Sequence, residues 1–562
     1  MNRIPLTLAV SVLLGLAAGA VRAEVDWFEF KADYIAGSKD PNGQMRRGTE
    51  VMRLMAHDGK LYAALGIFMQ NYSDGPLTGA QILRKDKPDG PWFVEKTFGP
   101  DYLRVDNFCE ATFTQDKDGK KLSSPVTLFV AGLYAVWKRN TGHTSPAAVA
   151  VYNNKPGDWT TVKIAAPPMG PSNPMFASTA YMRVYEDTVT KRQYLLVFTY
   201  WGAVYKMAYD PAAPGKLVVV GGNEMEPFDP GRSLSSCIVD GVLYSAWGYS
   251  NRGDNDQDGG LYRRVDGEKP RWEKKYDWYR GEPAPYEKIM RGLTTLTNTA
   301  SGETEILCAI EDPPAPVVRR LRPRDKFSVV DEINYRDFFT GIFGAAPNSR
   351  SMNAAAINGF EPVTIPGTTN TARLVTTYTI HPKSPAAGYN GAYYLIRFDD
   401  ATYDWGKVAD PNHLKDGVEL HGIRTVAPSP WEKGVYYFGG YAAQEKNKSD
   451  TAWIYEARVK PGVVAKTSGT RPEPAKPAAK AELPQPATAP RRGGNIETIF
   501  RQLDRNGDGK LDASEAGDRP FFKPADKNGD GVLTLDEVKA YFGSRSSGRS
   551  PAASKPQPTA KP

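Results

Sequence analysis

The run Val51-Met52-Arg53-Leu54-Met55-Ala56, His57-Asp58-Gly59-Lys60, Leu61-Tyr62-Ala63-Ala64-Leu65-Gly66 decides the fold of most of this chain. Two apolar-rich segments of strand length flank Asp-Gly, a pair that tolerates the left-handed backbone of a two-residue hairpin turn. Further on, Ala80–Lys85 and Trp92–Phe98 are separated by Lys87-Pro88-Asp89-Gly90-Pro91, a second turn signal. The unit is therefore four strands long. It recurs in the same order as Ser235–Val239, Asp240-Gly241, Val242–Gly248, Leu261–Val265 and Trp272–Tyr276.

Large apolar residues open the fourth strands at Trp92, Trp159, Leu217, Trp272, Phe327 and Trp405, with steps of 67, 58, 55, 55 and 78. Four strands every 50 to 60 residues predict a β-propeller, since no sustained 3.6-residue apolar period supports a helical solenoid. The last step is long because the sixth unit carries insertions such as Glu361–Thr371. First strands are expected near Val51, Val105, Ala177, Arg232, Arg291, Met352 and Gly422, which makes seven blades. The seventh runs out after three strands at Ala452–Val459. Asp26-Trp27-Phe28-Glu29-Phe30-Lys31 resembles the fourth-strand segment Pro91-Trp92-Phe93-Val94-Glu95-Lys96, so the N-terminal strand is expected to complete that blade and remove an open sheet edge. The Trp side chains at these openings are expected to pack between neighbouring blades.

The whole chain has 562 residues, 40% hydrophobic and 24% charged, which excludes a multispanning membrane protein and a wholly disordered one. Length alone would allow two to four domains, but ring closure makes residues 24–460 a single one. The net charge of +7 suggests nucleic acid only until it is mapped: residues 24–460 carry 52 basic and 52 acidic side chains. A neutral body lacks the footprint of a phosphate-backbone binder, so nucleic acid is rejected as a partner. Cys109, Cys237 and Cys308 form no CxxC and read as small buried residues. Residues 1–23 have the form of a cleavable signal peptide: Arg3, an apolar run from Leu6 to Ala20, and Val21-Arg22-Ala23 before the cut. The mature chain is expected to be secreted or periplasmic, with no transmembrane segment.

After Lys460 the composition changes. Residues 461–494 are a Pro/Ala/Lys-rich linker and 544–562 a similar disordered tail, both too poor in large apolar side chains to fold. Between them, residues 495–543 hold Asp504-Arg505-Asn506-Gly507-Asp508-Gly509-Lys510-Leu511-Asp512-Ala513-Ser514-Glu515 and Asp526-Lys527-Asn528-Gly529-Asp530-Gly531-Val532-Leu533-Thr534-Leu535-Asp536-Glu537. Both resemble the EF-hand calcium loop, in which twelve residues wrap oxygen ligands round one hard cation. The resemblance covers about fifty residues and implies two Ca²⁺ ions in a small all-α pair. Asp504, Asn506, Asp508, the Lys510 carbonyl, Asp512 and Glu515 would hold one ion. Asp526, Asn528, Asp530, the Val532 carbonyl, Thr534 and Glu537 would hold the other. Leu511 and Leu533 take the position where paired loops form a short β-contact. The loop starts lie only 22 residues apart and Pro520 and Pro524 fall between them, so the inner helices must be very short, with Phe521 and Phe522 filling the small core. That spacing is similar to the dockerin module too, but the closing Glu residues and an entering helix favour the EF-hand.

Asp254, Asp256 and Asp258 form a third acidic cluster whose frame ends in Val265 rather than Glu; a solvated turn and a third, rim calcium site are both open readings. Aligning the units on their first hairpin turn puts Glu50, Glu110, Arg232 and Arg350 eight residues earlier, with Arg291 and His421 or Arg424 nearby. First strands line a propeller's channel, so these groups either ring its mouth as a site for a polar small molecule, glycan or protein, or seal it by mutual salt bridges. His57, His143, His381 and His413 lack ligand spacing. No GxSxG, HExxH, phosphate loop or GxGxxG is present. Two readings of function follow: a secreted calcium-binding protein whose propeller binds a ligand or partner, or an extracellular glycan-active enzyme using carboxylates such as Glu50 and Glu110. The second requires those two about 5–10 Å apart.

Overall fold

A computed structural model describes residues 21–67, 79–135, 137–138, 142–143, 146–164, 178–200, 202–225, 233–248, 259–277, 289–298, 301–311, 316–335, 337–338, 353–354, 359–364, 371–378, 392–408, 420, 422–441, 450–461, 500, 509–512 and 522–546. The chain forms two compact units, Met1–Lys466 and Thr467–Pro562. The first is built almost wholly of antiparallel strands.

Among the described residues these strands fall into groups of four, numbered here as sheets 1 to 7. Sheet 1 is Glu50–His57, Lys60–Gly66, Ala80–Lys85 and Trp92–Phe98. Sheet 2 is Tyr102–Gln115, Lys121–Ala135, Ala148–Tyr152 and Trp159–Lys163. Sheet 3 is Thr179–Glu186, Gln193–Thr199, Val204–Tyr209 and Leu217–Val219. Sheet 4 is Ser233–Val239, Val242–Trp247, Gly260–Val265 and Arg271–Tyr276. Sheet 5 is Ile289–Thr297, Thr304–Glu311, Val317–Arg322 and Ser328–Asn334. Sheet 6 joins Thr371–Tyr378, Ala392–Phe398 and Tyr403–Val408 to a first strand in two pieces, Asn353–Ala354 and Glu361–Thr364. Sheet 7 is Gly422–Pro428, Val435–Tyr441, Ala452–Val459 and Phe28–Ile35. The N-terminal strand thus pairs where its sequence expects, Phe28 opposite Val459. Val21–Glu24 lies parallel to Tyr403–Val408, across the bond expected to be cut after Ala23. The Asp-Gly turns have their expected backbone: φ is +47° and +66° at Asp58 and Gly59, +51° and +78° at Asp240 and Gly241.

Two expectations need correction. Glu361–Thr364 is no insertion but half of sheet 6's first strand, pairing from Glu361 opposite Leu374 to Thr364 opposite Thr371. The fourth strand of that sheet opens with Tyr403, fully buried, not with the half-buried Trp405.

Consecutive sheets are bonded in a cycle. Gly66 bridges Arg104, Tyr134 bridges Ser178, and Arg183 donates to Ser236. The Leu293 and Phe360 N–H groups donate to the Ser235 and Thr294 hydroxyls. Tyr378 bridges Gly422, and Glu50 bridges Tyr441, which returns from sheet 7 to sheet 1. Each apolar cluster of this unit draws on two neighbouring sheets; Trp27, Phe28, Tyr394 and Phe438, for example, meet between sheets 6 and 7.

The aromatic residue opening a fourth strand does more than fill that core. At four sheets its polar hydrogen goes to an acid on the fourth strand of the preceding sheet. Trp92 Nε1 donates to Asp33 at 2.7 Å, Trp159 Nε1 to Glu95 at 3.1 Å, Trp27 Nε1 to Asp404 at 3.1 Å, and the Tyr403 hydroxyl to Glu332 at 2.5 Å. Buried indole and phenol groups need such an acceptor, and the acid needs cations, which third strands supply: Lys85 to Asp33, Arg84 to Glu95, Arg397 to Glu332.

Between sheets 3 and 4 the clamp is Arg264, enclosed by Asp187, Glu224 and Asp266. Burial alone would raise the Asp187 carboxyl, but the Thr190, Val189 and Gly267 N–H groups and Arg264 outweigh it and hold it at about 2. A depressed carboxyl stabilises the fold fully above its unfolded value near 4 and loses that contribution as pH falls toward 2. Replacing Asp187 by asparagine is therefore expected to cost about 2 kcal/mol at neutral pH and to flatten acid unfolding between pH 4 and 2. An unchanged acid titration of stability would contradict this.

In the second unit, Lys510–Asp512 pairs antiparallel with Val532–Thr534, setting Leu511 opposite Leu533. Both leucines are fully buried with Phe500, Ala525 and Val538. The inner helix is the single turn Phe522–Ala525, and Leu535–Ser546 is the exiting helix. The side chains of Phe521 and Phe522 lie outside the described residues. Among those described, no helix is long and apolar enough to cross a membrane.

Candidate functional site

The expected ring of charges at the first-strand starts resolves into ion pairs. Glu50 is buried between Arg424 Nη2 at 2.7 Å and Arg104 Nη1 at 3.8 Å. Arg104 also reaches Asp106 at 3.0 Å and the Tyr200 hydroxyl at 3.0 Å, and lies over the Tyr134 ring. Arg291 is likewise buried on the first strand of sheet 5. Salt bridges occupy Glu50, Arg104 and Arg424.

Glu110 corrects the alignment that placed it beside them. The hairpin of sheet 2 is long, so eight residues before its turn lies midway along the strand, opposite Phe129. There Glu110 meets His57 Nδ1 at 2.6 Å, with the imidazole stacked on Phe129 at 4.3 Å. His57 ends the strand that Glu50 begins, seven residues or about 20 Å away. The two carboxylates are therefore not a glycosidase pair. Arg232, Arg350, His421, Asp254, Asp256 and Asp258 lie outside the described residues.

A different group does converge. Arg53 on sheet 1 is influenced by Glu361 on sheet 6, Tyr181 on sheet 3 and Cys109 on sheet 2. Among the described residues sheets 3 and 6 are not bonded to sheet 1, so these side chains come near one another because the first strands face a common interior. Arg183, two residues along from Tyr181, donates from Nε to Ser236 Oγ at 2.8 Å and from Nη2 to Tyr181 OH at 3.0 Å. Arg53, Cys109, Tyr181, Arg183 and Glu361 keep accessible surface although most are deep in the protein, which is the mark of side chains lining an internal opening. Burial lowers the Arg53 guanidinium and raises the Glu361 carboxyl, each against the other's attraction. Burial also raises the Cys109 and Cys237 thiols to about 12, so neither is a nucleophile at neutral pH. Cys308 is buried on the second strand of sheet 5.

First strands of six sheets carry a β-bulge near their start, between Val51 and Arg53 and between Thr179 and Tyr181 among others. A bulge adds a residue and changes which face follows, so counting back from the turn selects the wrong side chains. Arg53 stands in the stretch that decides the fold, yet only the bulge reveals that it points inward.

In the second unit, the Asp526 oxygens accept from Gly529 and Gly531 N–H at 2.7 and 3.0 Å. Asn528 Oδ1 accepts from Asp530 N–H, and Asp530 Oδ1 from Val532 N–H. Glu537 caps the exiting helix, accepting from the Thr534 N–H at 2.9 Å and hydroxyl at 2.8 Å. The Thr534 N–H and hydroxyl, and the Lys527 N–H from the loop's second residue, hold its carboxyl below the usual range. Oxygens at loop positions one, three and five are thus tied to one small turn and that of position twelve to the start of the exiting helix, and each keeps a lone pair. Among the described residues no three His, Cys, Asp or Glu side chains already converge on one point. Lys510 and Asp512 lie on the bridging strand; Asp504, Asn506, Asp508 and Glu515 fall outside the described residues.

The EF hand family model matches residues 496–515 and 519–542. No curated protein sequence matches the chain. Among solved structures, the chain is similar to the S. cerevisiae core factor (8% identity, 80% of this chain and 64% of that one, TM-score 0.38). It is also similar to an ancestral GH74 enzyme (9%, 78% and 51%, 0.40) and to the GH93 α-L-arabinofuranosidase of Fusarium graminearum (12%, 76% and 97%, 0.36). The chain spans about half to two thirds of the length of the first two. Likeness at this level assigns neither fold nor function.

Proposed function

We propose that this is an exported calcium-binding protein: a seven-bladed β-propeller over residues 24–460, a spacer over 461–494, and an EF-hand pair over 495–543 that binds two Ca²⁺ ions. Cleavage after Ala23 would release it to the periplasm or the exterior, and the propeller would bind a polar ligand or partner. The cyclic bonding of the sheets supports the propeller. The observation carrying the calcium reading is the bridge Lys510–Asp512 to Val532–Thr534, which couples two twelve-residue acidic loops through Leu511 and Leu533. Calcium would supply a charge centre that cancels the repulsion among each loop's carboxylates. The chain's part is to hold those oxygens: Asp504, Asn506, Asp508, the Lys510 carbonyl, Asp512 and Glu515 in one loop, Asp526, Asn528, Asp530, the Val532 carbonyl, Thr534 and Glu537 in the other. With so small a core, ion binding and folding of this unit should be coupled.

Calorimetric titration of the full chain with calcium is expected to give two equivalents. Glu515→Gln with Glu537→Gln should weaken each site about tenfold to hundredfold by removing its closing carboxylate. Undiminished binding in the double variant would overturn the ligand assignment.

A further inference from the structure

Among the described residues Arg53, like Arg183, forms no ion pair with a carboxylate, unlike most interior cations of the first unit. Arg84, Arg104, Arg264, Arg397 and Arg424 each pair with a carboxylate, and Lys85 does too. The Nε of Arg53 is fully enclosed and, among the described residues, has no hydrogen-bond acceptor. An enclosed N–H without an acceptor carries an uncompensated desolvation cost, so an arginine held this way needs a reason outside its own fold.

Its neighbours indicate that reason. The Tyr181 hydroxyl and Ser236 Oγ both accept from Arg183, which leaves each with its own proton to donate. Two donors therefore belong to one opening, the Arg53 fork and the Tyr181 hydroxyl, with the buried Ser236 hydroxyl behind them on Arg183. The Glu361 carboxyl acts on the same Arg53 and disfavours a doubly charged occupant. We propose that the opening between the first strands binds a small monocarboxylate, with Arg53 gripping both carboxylate oxygens and Tyr181 donating to one of them. The planar fork of a guanidinium matches a carboxylate's two oxygens, and one added negative charge, with that of Glu361, balances Arg53 and Arg183. This deepens the reading of the first unit as a ligand-binding propeller and rests on it.

The test uses the full chain with calcium present, following melting temperature and calorimetric heat with glycolate, glycolamide, inorganic phosphate and cellobiose as probes. Glycolate is expected to bind and to raise the melting temperature, while its uncharged isostere glycolamide does neither. Arg53→Met should weaken glycolate about tenfold or more. The same variant without ligand should fold and melt close to the parent, because Arg53 has no hydrogen-bonded carboxylate among the described residues and Glu361 also faces Arg373. Tyr181→Phe should weaken glycolate more mildly while keeping the fold. Glycolate binding that survives Arg53→Met overturns the site, as does stronger binding of phosphate or a marked loss of stability in unliganded Arg53→Met. Cellobiose binding without glycolate binding overturns the inference but leaves a ligand-binding propeller in place. A flat response to all four probes overturns both.

Discussion

Replacing Glu332 by alanine is expected to destabilise the first unit by about 3–5 kcal/mol, because it strips the buried Arg397 of its paired carboxylate and leaves Arg320 with Glu305 alone. The Glu332 side chain is almost fully buried on the fourth strand of sheet 5. Arg397 Nε and Nη2 from sheet 6 donate to it at 2.6 and 2.8 Å, the Tyr403 hydroxyl at 2.5 Å, and Arg320 pairs with it from its own sheet. Burial would raise this carboxyl, but Arg397, Arg320 and Tyr403 outweigh it and hold it below the usual range. Its contribution is therefore complete above the unfolded carboxyl value and is lost as acid protonates it. Asp331, its neighbour in sequence, provides the control. It pairs with Arg319 at the surface, Nη2 to Oδ2 2.8 Å, with nearly half its side chain exposed. Asp331→Ala should cost about 1 kcal/mol or less, since solvent screens such a pair. Urea unfolding followed by tryptophan fluorescence measures both. Equal effects at the two positions would mean that the inter-sheet clamp contributes nothing beyond an ordinary surface ion pair.

The contrast between Glu332 and Asp331 shows where sequence reading stops. The spacing of Trp92 and Trp159 predicted aromatic packing between sheets, and their burial agrees, because a fourth-strand opening is a repeated local feature that leaves a periodic trace. The acid receiving each indole or phenol proton leaves no such trace. Asp33, Glu95, Glu332 and Asp404 lie on another sheet, between 59 and 377 residues from the Trp residue or 71 from the Tyr that bonds them. Trp405 masked the equivalence of Tyr403 for the same reason: hydrophobic bulk is legible, but the hydroxyl's acceptor on sheet 5 is not. The calcium loops were readable because all the donors of one loop lie within twelve residues, with the chain itself fixing their geometry. The interior opening was not, since Arg53, Tyr181 and Glu361 arrive from three sheets and bulges shift their facing. Glu361 was lost twice, first as part of a supposed insertion and then as a side chain with no periodic partner.

Phe28→Ala is expected to destabilise the first unit by a comparable ~3–5 kcal/mol, the usual range for emptying a buried aromatic site. Phe28 is 1% exposed and meets Tyr394 of sheet 6 edge-on at 5.3 Å and Phe438 of sheet 7 at 5.4 Å. A cavity there removes more than contact area, because the strand it anchors serves three sheets. Phe28–Ile35 is the fourth strand of sheet 7, Trp27 just before it bonds Asp404 of sheet 6, and Asp33 within it receives Trp92 and Lys85 of sheet 1. Its pairing joins residues more than 400 apart in sequence, so the entropy of closing that loop opposes every contact it makes. Loosening the strand should expose the edge of Ala452–Val459, whose backbone groups would then be available to another chain. The variant is thus expected to unfold at lower urea and to scatter light on warming below its melting point. Phe30, only partly buried against the same cluster, should cost less when truncated. If Phe28→Ala unfolds with the parent and stays clear, the N-terminal strand is an ornament on a cycle that six sheets and three strands already close. The clamp from Asp33 to Lys85 and Trp92 would then hold nothing that the remaining strands need.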